Sequence, residues 1–99
     1  MTDAAIALVH GLGSSFEHGW RAAGWIDLLQ DADRRVIPVD ILGHGNADKP
    51  HDPDAYADLE QSVSVALPDE PVDAIGFSLG GQLLLRLAAT DPARFRRLV

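Results

Sequence analysis

The sequence predicts an α/β fold in which three parallel strands and the start of a fourth carry helices on both faces. Two observations lead there. Short apolar runs alternate with segments whose apolar residues recur at helical spacing, giving strand, helix, strand, helix, strand, helix and the start of a strand. That order calls for right-handed crossovers and a parallel sheet. The first run, Ala4 to Val9, holds no polar residue, as expected of a strand buried on both faces.

The first strand leads directly into His10-Gly11-Leu12-Gly13. After a polar loop, Trp25-Ile26-Asp27-Leu28-Leu29 forms the core of a short helix, and Asp31 to Arg34 a charged turn. Arg35 to Val39 is the second strand, ending at Asp40; Pro38 weakens its last residues because proline cannot donate to a ladder. Gly43 to Pro53 is a long loop, and Asp52-Pro53 has the form of an N-cap with proline at the first helical position. Tyr56, Leu59, Val63 and Leu67 then recur at helical spacing, predicting one packed and one acidic face. Val72 to Ile75 is the third strand, and Leu79 to Thr90 a helix with Leu83, Leu84, Leu87 and Ala88 on one side and Leu85 nearly opposite. Asp91-Pro92 ends it, and Phe95 to Val99 begins a fourth strand.

Composition narrows the class of partner. Ninety-nine residues make one small domain, and a hydrophobic fraction of 46% with 23% charged residues is that of a globular chain. Eight basic against fifteen acidic residues leave a net charge of −7, which argues against nucleic acid and anionic membranes as partners. No apolar run approaches the ~20 residues of a membrane span, and the start Met-Thr-Asp lacks the basic region of a signal peptide, so a cytoplasmic protein is expected. Without cysteine there is neither a disulfide framework nor a thiolate metal site. His44, Asp48, His51 and Asp52 match no metal-ligand spacing, so no metal and no other cofactor is expected.

The densest signal is Gly76-Phe77-Ser78-Leu79-Gly80, a G-x-S-x-G run between an apolar strand and a leucine-rich helix. A serine there sits on a sharp strand-to-helix turn that pushes its Oγ out of the sheet, and glycine on either side lets the neighbouring chain pass close by. A competing pattern, Gly11-x-Gly13 after the first strand, would suit a dinucleotide only with a further glycine where Phe16 stands.

Three motifs in this order resemble the N-terminal part of the α/β-hydrolase superfamily: His10-Gly11-Leu12-Gly13, then Asp40-Ile41-Leu42-Gly43-His44-Gly45 with Asn46 to Pro50, then the serine turn. The resemblance covers nearly the whole chain; Ala47 stands where the family often has serine. It implies Ser78 as nucleophile and the backbone N–H groups of Leu12 and Leu79 as the oxyanion hole. It also implies Gly11, Gly76 and Gly80 as the glycines of loop and elbow, and His10, Asp40 and His44 as loop-shaping residues. Family members place an acid and then a histidine after the serine. Here only Asp91, at the far end of the last helix, follows Ser78, and no histidine does. Residues 1–99 are therefore expected to be the N-terminal portion of a single α/β-hydrolase domain, without its acid, base or any cap, and inactive alone.

The expected function is that of a serine hydrolase acting on a small-molecule ester or related acyl substrate. Serine in place of aspartate disfavours haloalkane dehalogenase and epoxide hydrolase chemistry. The alternative is a non-catalytic ligand-binding protein on the same scaffold. Phe77 is expected at the acyl pocket or in the core, Trp20, Trp25 and Tyr56 in packing, and His18 and His51 in solvated loops.

Overall fold

A computed structural model describes residues 4–99. Four parallel strands, β1 (Ile6–Val9), β2 (Val36–Val39), β3 (Val72–Gly76) and β4 (Phe95–Leu98), form one sheet in the order β2-β1-β3-β4. The helices are α1 (Trp25–Asp31), α2 (Glu60–Ser64) and α3 (Leu79–Thr90). Pro38 lies within β2 opposite Leu8; among the described residues β2 pairs with β1 alone, an edge position in which proline is tolerated.

Alternate residues of β1 face opposite layers. Ala7 and Val9, with Ala5 just ahead of the strand, join Val63, Leu83, Leu84 and Leu87 in one core under α2 and α3. Ile6 and Leu8 join Phe16, Trp20 and Ile26 in a second core under α1. This division follows from the topology. The chain leaves β1 toward β2 on one side and β3 toward β4 on the other, so right-handed crossovers put α1 on one face and α3 on the opposite one.

Two expectations change. The polar loop before Trp25 holds a π-helical turn, Glu17–Arg21, which buries Trp20 beside Phe16. The helix expected from Tyr56 to Leu67 is broken into a 3-10 turn, Pro53–Tyr56, and the short α2. Asp52 does cap its start, accepting the Asp54 N–H at 3.0 Å, and Val63 and Leu67 are buried. Tyr56, at the end of the 3-10 turn, reaches back to donate to the Pro50 carbonyl at 2.7 Å.

Among the described residues no helix is long and apolar enough to cross a membrane. Leu84 is fully buried between α3 and the sheet. Leu84→Ala is expected to cost about 2–5 kcal/mol in a chemical-denaturation measurement.

Candidate functional site

In an open parallel sheet, ligands bind beyond the carboxyl ends of the strands, at the point where the connections diverge. Here that point lies between β1 and β3. The two segments leaving it are the His10–Gly13 loop and the Ser78 turn.

Ser78 has φ 54° and ψ −114°, in a region that side chains with a Cβ rarely occupy. The turn is closed by Gly80 N–H donating to the Phe77 carbonyl at 3.0 Å, and Phe77 N–H donates to the Val9 carbonyl at the end of β1. Both elbow glycines are dictated by contact. A Cβ at Gly80 would collide with the carbonyl oxygens of Val9 and His10, and one at Gly76 would lie 2.6 Å from the Gly81 Cα. Serine before a helix normally caps it, but Ser78 makes no side-chain cap bond. Its hydroxyl is left for other uses.

The His10–Gly13 loop lies against this turn: a Cβ at Gly11 would sit 3.2 Å from the Phe77 ring and 3.6 Å from the Ser78 Cβ. The N–H groups of Leu12 and Leu79 donate to no acceptor among the described residues. Leu79 opens α3, where an orphan donor and the helix dipole both favour negative charge.

Asp40 and the histidines shape the loops around the turn. Asp40 lies just past β2; its two carboxylate oxygens accept the N–H groups of Phe16 at 2.9 Å and Asn46 at 3.0 Å. His10 is buried; its Nε2 accepts the Ile41 N–H at 3.0 Å, so Nδ1 carries the proton and donates to the Gly11 carbonyl at 2.8 Å. His44 Nε2 accepts the Gly13 N–H at 2.9 Å, and its Nδ1 donates to the Leu42 carbonyl at 3.1 Å. With both nitrogens engaged, neither ring can take a proton from Ser78 as the loops stand. His18 and His51 are exposed, and Asp91 lies at the far end of α3.

A cleft of about 600 Å³ opens over Ser78, walled mainly by apolar groups including Leu12, Trp20, Trp25, Ile75 and Phe77. Phe77 is 69% exposed, so it stands in the cleft and not in the core. Trp20 and Trp25 meet edge to face at 5.9 Å and form one wall. Sequence alone placed these tryptophans only in packing. Ser15, whose Oγ accepts the His18 N–H at 3.0 Å, is the local signal that a helical turn begins there and carries Trp20 inward.

A parallel sheet that sets a strained serine between strand and helix at its switch point defines a class of protein, the α/β hydrolases. The sequence profile of the alpha/beta hydrolase fold matches residues 4–99, and the chain belongs to that family. It is 36% identical to a 2-hydroxymuconate semialdehyde hydrolase of Pseudomonas sp. (strain CF600), over 95% of this chain and 34% of that protein. An sn-1-specific diacylglycerol lipase of Mus musculus is 37% identical over 96% of this chain and 31% of its own length. Among solved structures, NosK from Streptomyces actuosus superposes with a TM-score of 0.81 at 31% identity, covering 98% of this chain and 42% of that one. The chain thus spans about a third of the length of these curated relatives.

Two expectations follow from the geometry. Gly80→Ala should destabilise the protein by about 3 kcal/mol or more, because backbone cannot yield to the new methyl. Gly81→Ala, whose Cβ would meet nothing nearer than 3.5 Å, should be neutral or stabilising by up to about 1 kcal/mol. Denaturation midpoints of the two variants check both. Burial holds the His10 pKa below its ordinary 6.5; the nearby His44 pushes the same way, while the Gly11 carbonyl and Asp40 oppose it. Between the folded and unfolded values the unfolded chain binds the extra proton, so stability rises with pH. His10's contribution is complete above about pH 6.5 and lost as pH falls through its lower folded value. The His10 ring resonance should titrate below that of a free histidine, and the denaturation midpoint should fall in step.

Proposed function

We propose that this chain carries the nucleophile and oxyanion-binding part of a serine hydrolase acting on a small-molecule ester or related acyl substrate. Ser78 Oγ attacks the carbonyl carbon, the N–H groups of Leu12 and Leu79 receive the developing oxyanion, and the acyl group lies in the apolar cleft. The adduct collapses by breaking the ester C–O bond, the alcohol leaves with the proton that Ser78 gave to the base, and water then hydrolyses the acyl-enzyme to the free acid and Ser78. The observation that carries this reading is Ser78 itself, held in a strained conformation with its hydroxyl uncommitted between two free backbone donors.

The general base and the acid that orients it are supplied from outside residues 1–99, since the ring nitrogens of His10 and His44 are already engaged. Relatives named as a hydrolase of a muconate semialdehyde and as a diacylglycerol lipase support the hydrolase part of the reading.

The test is Ser78→Ala in the whole protein, with the segment that supplies base and acid, assayed with p-nitrophenyl acetate and with a fluorophosphonate that labels activated serines. Turnover should fall about 10³-fold or more, and labelling should disappear. A Ser78→Ala protein that hydrolyses or labels like the parent overturns the reading. A parent that folds but never labels points instead to ligand binding without catalysis.

A further inference from the structure

Two histidines join the loop after β1 to the loop after β2 in opposite senses. The His10 ring, from the first loop, accepts a hydrogen bond from the Ile41 N–H in the second. The His44 ring, from the second loop, accepts one from Gly13 in the first. The rings lie 5.1 Å apart, tilted by 49°, and the Nδ1–H of each donates to a carbonyl of its own loop.

The atoms they grip are not arbitrary. The Gly11 carbonyl and the Leu12 N–H belong to one planar trans peptide, in which the two bonds point in opposite directions. Holding the carbonyl therefore aims the N–H. His10 Nδ1 holds it at 2.8 Å, and Ser14 N–H adds a second bond at 3.2 Å. The next peptide plane, Leu12–Gly13, is pinned through its own N–H by His44 Nε2. Without these bonds a Gly-Leu-Gly segment has every freedom to turn the plane over, and Leu12 itself is 78% exposed, so its side chain does nothing to anchor it.

We propose that His10 and His44 are a reciprocal pair of positioning residues that fix the direction of the Leu12 N–H beside Ser78. The inference rests on the serine-hydrolase reading above and adds to it the device that keeps one oxyanion donor aimed. Neither ring touches the reacting atoms. Each acts through a peptide plane, and each must stay neutral with its proton on Nδ1, because an imidazolium has no acceptor to offer Ile41 or Gly13.

His44 is the more accessible of the two and the one to change. In the whole protein, His44→Phe keeps a ring of similar size and removes the acceptor, whereas His44→Gln restores an acceptor. With a fluorophosphonate, His44→Phe should lower kinact about 10-fold or more while leaving KI within twofold, since the lost interaction serves the transition state. His44→Gln should recover most of that loss. A purely structural role would lower the labelled fraction without this split. Unchanged kinact in a His44→Phe protein whose Ser78 still labels overturns the inference and leaves the serine reading intact. Absence of labelling at Ser78 in the parent overturns both. Should His44→Phe fail to fold, nitrogen-detected NMR of the parent decides: His44 protonated on Nδ1 upholds the pair, and protonation on Nε2 refutes it.

Discussion

The backbone leading out of β1 and the first turn of α3 approach so closely that no side chain fits between them, and the rest of this end of the sheet depends on that approach. Gly80 packs on the carbonyls of Val9 and His10, and the same Val9 carbonyl accepts the Phe77 N–H. Because α3 begins there, the residue between strand and helix has no room to turn gradually. Ser78 absorbs the change of direction in a single strained residue. The helix N-terminus, with its unpaired donors, is thereby brought beside the loop that carries Leu12.

The two ends of the sheet are held by different chemistry. At the amino ends of the strands, Asp73 on β3 is nearly buried and pairs with Arg34 at 2.7 Å and with Arg96 of β4 at 3.5 Å. Arg34 also donates to the Ala4 carbonyl ahead of β1. One carboxylate thus links the starts of β1, β3 and β4 to the turn before β2. Loss of Asp73 would leave the largely buried Arg34 guanidinium without its carboxylate. At the carboxyl ends the links are single hydrogen bonds to backbone groups: two histidine rings bridge the loops, and the Asp40 carboxylate accepts N–H groups without pairing with Lys or Arg among the described residues.

Much of this was readable from residue order. The all-apolar Ala4 to Val9 run, the Asp52-Pro53 cap and the apolar stripe of α3 each depend on neighbours a few positions away, so local pattern identifies them. Gly76-Phe77-Ser78-Leu79-Gly80 was readable for a related reason: a sharp turn demands particular residue types at fixed offsets. The π-helical turn at Glu17–Arg21 was hidden because its residues are polar on average, and only Phe16 and Trp20 turn inward. The break before α2 was hidden because the apolar spacing from Tyr56 to Leu67 remains helical, while Tyr56, at the end of the 3-10 turn, bonds a carbonyl in the preceding loop.

The sequence by itself determined the class of fold, the order of its elements and the serine turn, because these rest on burial pattern and on the steric needs of single residues. Tertiary structure alone decided which groups meet. The sheet order β2-β1-β3-β4 places the loops after β1 and β3 side by side, and the cleft, the free N–H pair and the histidine bridge all follow from that adjacency. His10 and Ile41, or Gly13 and His44, lie 31 positions apart. No local pattern records such a partnership, since the hydrogen bond that selects the tautomer exists only once the strands have been laid next to one another.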